Sequence, residues 1–129
     1  MFNSITSTLI AGALLLASGA TASTLTERAA LYGNNCDGSG LCVSHDISGD
    51  CQTGLALINR DTTYTDQAQF SSGHCYIIYA TNGAGPQPVS GQLIYDTANT
   101  ILNNCGNHCG SYGTNNNCPS CHVTLNYRS

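Results

Sequence analysis

The chain has 129 residues and a formal net charge of −4, with seven Asp and Glu against three Arg and no Lys. A length of this order fits one domain, and the absence of clustered positive charge argues against nucleic acid or an anionic membrane as partner, since both are recognised through basic patches. Eight cysteines, all beyond Ala22, point to a disulfide framework formed in an oxidising compartment.

Residues 1–22 read as a cleaved signal peptide. An apolar run, Leu9-Ile10-Ala11-Gly12-Ala13-Leu14-Leu15-Leu16-Ala17, leads to the small-residue site Ala20-Thr21-Ala22. The run falls short of the roughly 20 residues a membrane helix needs, so a secreted extracellular product without stable membrane insertion is expected. Residues 23–32 form an arm before the cysteine framework, and 33–129 form the domain. Of the 107 residues from Ser23 onward, 18 are Ile, Leu, Val or Phe. So small an apolar share makes four bridges, each contributing about 2–4 kcal/mol, comparable with the whole net stability of a small domain.

From Ile47 to Ile58, the residues Ile47, Cys51, Leu55 and Ile58 fall on one side at 3.6 residues per turn, with Asp46 or Ser44 as a cap. Gly49 and Gly54 weigh against that helix. Residues 59–74 are polar and loop-like, anchored by Tyr64 and Phe70. Cys75–Ala80 is apolar on both faces and ends at Asn82-Gly83, the pattern of a central strand. A Gly and Pro loop follows. A second helix starts near Ser90 and ends at Cys105, with Ile94, Ala98, Ile101 and Cys105 on its buried face and Gly106 as its stop. Residues 110–120 read as a Gly, Asn and Ser loop, and Val123, Leu125 and Tyr127 alternate with polar residues in a closing strand. The expected class is α+β, a small disulfide-rich α/β sandwich of antiparallel strands carrying two antiparallel helices.

Several chemistries compete for the cysteines and histidines. Cys118-Pro119-Ser120-Cys121-His122 matches the c-type haem attachment pattern, and the same pair could serve redox exchange. Cys105, Cys109, Cys118 and Cys121 have spacing conceivable for zinc. Structural disulfides are the expected state of all eight cysteines, with no cofactor and no bound metal. The four histidines read as surface or hydrogen-bonded residues, His45 as a turn or cap neighbour. The size, acidity and Asn, Gly and Tyr content are also those of small secreted ribonucleases, which need a carboxylate, a histidine and an arginine such as Arg60.

Gly33-Asn34-Asn35-Cys36-Asp37-Gly38-Ser39-Gly40-Leu41-Cys42 resembles the opening G-x-N-C-x-G-S-x-x-C of the KP4 killer toxin family. Cys105-Gly106-Asn107-His108-Cys109-Gly110-Ser111 and Val123-Thr124-Leu125-Asn126-Tyr127 resemble that family's paired cysteines and closing strand. The resemblance implies bridges from Cys36 to Cys105 and from Cys42 to Cys109, leaving three pairings open among Cys51, Cys75, Cys118 and Cys121. It also implies a monomeric, non-enzymatic toxin or effector that inhibits competing fungi or acts on host cells, by blocking a calcium channel or through another cell-surface target on fungal or plant cells. This chain is acidic and carries Ser72-Gly73-His74 where that family has a lysine, so Arg60 and His74 become the expected target contacts.

Overall fold

The computed structural model describes residues 32–129. The expected leader, and all of the arm but Tyr32, lie outside the described residues. In chain order the elements are α1 (Leu41–Ser44), α2 (Ser48–Leu55), β1 (Thr63–Tyr64), β2 (Ala68–Gln69), β3 (Cys75–Ala80), β4 (Val89–Ser90), α3 (Gly91–Asn104), β5 (Gly110–Gly113) and β6 (His122–Tyr127).

The sheet grows outward from β3, whose run of aromatic and β-branched side chains suits a strand covered on both sides. It pairs with β6 over its whole length, from Cys75 opposite Tyr127 to Ala80 opposite His122. Short β2 and β5 complete an antiparallel sheet in the order β2-β3-β6-β5, and β1 with β4 form a separate two-stranded ribbon. Period-two alternation puts Cys75, Ile77 and Tyr79 on one face of β3, opposite Tyr127, Leu125 and Val123 of β6. All of these except Tyr127 are fully buried.

Helices α2 and α3 pack against one another and against the sheet, α2 on β3 and α3 on β5 and β6. The stripe expected on α3 is the one it buries: Ile94, Ala98, Ile101 and Cys105 are at most 1% exposed. Each buried aliphatic of that size contributes about 1.5–3 kcal/mol. Ser90 begins α3 as its N-cap, its Oγ accepting from Leu93 N at 3.0 Å. Ile47, Cys51, Leu55 and Ile58 are likewise buried, although α2 itself stops at Leu55 and continues as a tighter turn, with Leu57 N donating to Gly54 O and Ile58 N to Leu55 O. Gly54 is required by packing: a Cβ there would stand 2.6 Å from Phe70 O and 2.8 Å from Ile77 Cδ1. Its helix-propensity cost is exchanged for close approach of α2 to β3.

Four disulfides staple these layers: Cys36–Cys105, Cys42–Cys109, Cys51–Cys75 and Cys118–Cys121. The first two are the pairs named above from the toxin resemblance, and the structure fixes the remaining four cysteines, which spacing left open. No cysteine is free. The molecule is thus a small α+β fold with antiparallel sheets and few helices.

Two expected loops contain strands. Residues 59–74 hold β1 and β2, and residues 110–120 begin with β5. Each is created by a partner: Tyr64 pairs with Val89, Ala68 with Tyr79, and Ser111 with Thr124. No helix among the described residues is long and apolar enough to cross a membrane.

Candidate functional site

The chain leaves α1 abruptly. His45 is extended at φ −130°, and its N–H still donates to Leu41 O. That geometry folds the imidazole back, so that Nδ1 lies 3.2 Å from Leu41 O and 3.0 Å from Ser44 Oγ. A carbonyl only accepts, so Nδ1 carries the proton and Nε2 the lone pair. The next residue is fixed just as locally: Asp46 Oδ1 accepts from Ser48 N at 2.9 Å and from Ser48 Oγ at 2.7 Å. These two bonds are the main causes that hold the Asp46 carboxyl below the usual carboxylate range. Asp46 therefore begins α2 from one position before the N-cap, which is Ile47 and makes no side-chain cap bond.

The opposite wall comes from the end of α3. His108 has the left-handed φ of +66°, uncommon for a residue with a side chain. Its N–H donates to Cys105 O at 2.9 Å, and its Nδ1 donates to Leu102 O at 2.8 Å. Asn107 Oδ1 accepts from Cys109 N. The turn is thus clamped between two bridged cysteines, and Cys42–Cys109 joins it to the α1 wall. Between the walls lies an open groove of about 560 Å³, lined by Cys42, Val43, Ser44, His45, Asp46, Gly106, Asn107 and His108. Across it His108 Nε2 stands 4.0 Å from Asp46 Oδ1.

Behind His45 the aromatic contacts continue. Tyr127 is flanked by His45, centroids 4.9 Å apart and tilted by 40°, and by His74, at 5.3 Å and 13°. His74 is positioned by backbone: its N–H donates to Asp50 Oδ2 at 2.7 Å, and its Nδ1 donates to Arg128 O at 3.0 Å. Arg128 Nε in turn donates to Gly73 O at 2.9 Å. Gly73, at φ +54°, lies directly beneath the Asp50 carboxylate, leaving no room for a Cβ.

The two expected contact residues are not neighbours in this arrangement. His74 lies at the end where α2 begins, beside Asp50, whereas Arg60 follows the other end of α2 and rests on α3, its guanidinium carbon 3.5 Å from the Tyr95 ring centroid. The groove was assembled instead from His45, Asp46 and His108. The usable signal was their nearness to cysteines: Cys42 lies three residues before His45 and Cys109 directly follows His108, so pairing Cys42 with Cys109 brings both segments together.

The arrangement limits the available chemistry. Ser44-His45-Asp46 holds the residue types of a hydrolytic triad, but the His45 nitrogen facing Ser44 already bears its proton and cannot take one from the hydroxyl. Cys118 and Cys121 are bonded to one another, which leaves no thiol for a haem vinyl group or for zinc. His122 is buried, stacked on Tyr32 at 4.4 Å and 10°, with Nδ1 donating to Ser120 O. Among the described residues no group of three or more His, Cys, Asp or Glu is placed to hold a metal ion.

No curated protein matches the chain. The toxin resemblance has to be corrected, because the family match is to a different family. The physical reason lies in what its motif does: Asn35 Oδ1 accepts from Asp37 N, Ser39 O from Cys42 N, and Asn126 Oδ1 from Ser39 N. Asn35 before Cys36, with Gly38 and Ser39 between Cys36 and Cys42, builds a tight turn from residues that turns favour in general, so the motif reports local geometry. The match runs over residues 34–129, the whole span from before the first bridged cysteine to the C-terminal Ser, and the chain belongs to the meiotically up-regulated gene family, MU117.

Proposed function

We propose that this protein is a secreted, non-enzymatic effector that works by binding a partner outside the cell, on competing fungi or on host cells. The observation that supports this reading most is the complete pairing of eight cysteines into four bridges within so small a core. Such a framework persists where thiols are oxidised and is rare where glutathione keeps them reduced. The apolar leader agrees with export. Binding is favoured over catalysis because the described histidines have Nδ1 committed to backbone carbonyls, and the serine beside His45 has no base.

The test is the intact mass of protein recovered from the medium of cells expressing the full chain. A start at Ser23 and a mass about 8 Da below that of the reduced form, two hydrogens for each bridge, is the expected result. Retention inside the cell with alkylatable thiols overturns the reading. Labelled secreted protein should then bind intact fungal or plant cells saturably.

A second reading, a small ribonuclease, has one observation in its favour: Asp50, His74 and Arg128 lie together, supplying the carboxylate, imidazole and guanidinium that such catalysis needs. RNA cleavage by the oxidised protein, abolished by His74→Ala, would establish it, and intact RNA ends it.

A further inference from the structure

We infer that the groove between the end of α1 and the turn after α3 is a receptor for one cationic side chain, Lys or Arg, presented by a partner protein. This rests on the binding reading above and names the chemistry of the partner.

The groove gathers acceptors around one exposed carboxylate, whose Oδ1 already accepts two bonds from Ser48 while its charge has no cationic partner from Arg60 or Arg128. Asp46 carries its charge 78% exposed, and His108, 33% exposed, aims Nε2 at it from 4.0 Å. Because His108 Nδ1 donates to Leu102 O, neutral His108 offers a lone pair at Nε2. Two acceptors therefore confront one another at a distance that a shared donor nitrogen can span, since it can stand about 2.9 Å from both. His45, whose Nδ1 proton is held by Leu41 O, lines the same groove with its Nε2 lone pair uncommitted.

An ammonium or guanidinium supplies N–H donors and positive charge together and satisfies this set. A neutral hydroxyl would supply one donor and no charge.

The rest of the site suits such a group. Val43 is 79% exposed at the groove and Leu41 46% exposed on the same helix, giving the aliphatic stem of Lys or Arg an apolar surface. No described cation of the chain competes: Arg60 is stacked on Tyr95 and Arg128 is bonded to Gly73 O. Both walls are held rigid, by the Cys42–Cys109 bridge and by the two Ser48 bonds to Asp46, so little ordering cost opposes binding.

The experiment uses the oxidised, secreted full-length protein with N-acetylated, C-amidated hexa-arginine and hexalysine peptides, and the isosteric citrulline hexapeptide as neutral control. It follows backbone and imidazole NMR shifts. Expected are saturable shifts confined to residues 42–46 and 106–108, absent with citrulline, and at least about tenfold weaker for Asp46→Asn. Asp96→Asn, on the exposed side of α3, should bind as wild type.

Shifts scattered over all the carboxylates, or equal loss with Asp96→Asn, would mean diffuse attraction to an acidic protein and would overturn the site. So would undiminished binding by Asp46→Asn with wild-type bridges, or no shifts at all. Because the protein tested is already secreted and oxidised, such a failure removes the groove and leaves the wider binding reading standing.

Discussion

The two ends of the sheet are held by opposite means. At the groove end, where β3 begins and β6 finishes, the chain is fastened by disulfides that span 67 and 69 residues, and by Cys51–Cys75, which spans 24. At the other end, around Tyr79 and the residues after Ala80, the fastening is a partly buried polar network. Tyr79 Oη donates to Gln87 O at 2.7 Å and accepts from Asn116 Nδ2 at 3.1 Å, and Asn116 also donates to Pro88 O. Ser120 Oγ donates to Thr81 O at 2.7 Å. The only bridge there, Cys118–Cys121, spans three residues. One end restricts the unfolded chain, while the other stabilises the folded one directly, so the two should break differently.

The largest effect is expected at the groove end. Replacing Cys42 and Cys109 together with Ala releases a loop whose closure entropy corresponds to about 4 kcal/mol, much of the net stability of a domain this size. Urea unfolding followed by circular dichroism should show most of the transition lost. Replacing Cys118 and Cys121 with Ser should cost about 2 kcal/mol or less, since the loop is short and Cys121 N→Cys118 O and Thr114 N→Cys121 O already hold the turn. Equal costs for the two pairs would refute the division proposed here.

The polar end should instead respond to a single hydroxyl. Tyr79→Phe keeps the ring in place but leaves Gln87 O and one Asn116 donor without their partner, at a cost of about 1–3 kcal/mol. Thr81→Val should have the opposite sign. Thr81 is fully buried, and its Oγ1 has no hydrogen-bond partner, so a same-shaped methyl removes a desolvated hydroxyl and stabilises by about 1 kcal/mol. Urea midpoints of the two variants moving in opposite directions would separate bonds that support this end from polarity that does not.

The same contrast explains what could be read in advance. The stripe of α3 and the buried side of α2 were legible because each carries its own helical hydrophobic period, and β3 because six successive residues form one apolar run closed by Asn82-Gly83. β1, β2 and β4 are two residues long, too short for any period, and exist only because Thr63 meets Ser90 and Ala68 meets Tyr79. Gly110-Ser111-Tyr112-Gly113 has the composition of a loop and becomes a strand between β6 and the Asn35–Ser111 bridge. The groove was half legible. His108 was visible beside a cysteine, His45 as a turn or cap neighbour and Asp46 as a cap, but their convergence depends on contacts more than 60 residues apart. Arg60 and His74 were singled out by analogy with a lysine in another family, and that analogy carried no information about which end of α2 each would occupy.

The smallest effects, in pH, should distinguish the ends most cleanly. Two hydrogen bonds from Ser48 hold the Asp46 carboxyl low. A carboxyl depressed in the folded state contributes stability above its unfolded value near 3.8, and that contribution disappears as pH falls through the lower folded value. At the other end burial is the main cause that raises Tyr79, with Asp66 adding to it against the Asn116 bond. A phenol raised in the folded state contributes stability that is complete below its unfolded value near 10 and is lost as pH climbs through the folded one. Acid should therefore loosen the groove end and alkali the polar end. Asp46→Asn should flatten the acid limb of a stability profile and leave the alkaline limb alone, and Tyr79→Phe should do the reverse. If either substitution flattened both limbs, the two ends would be one cooperative unit whose fastenings cannot be assigned separately.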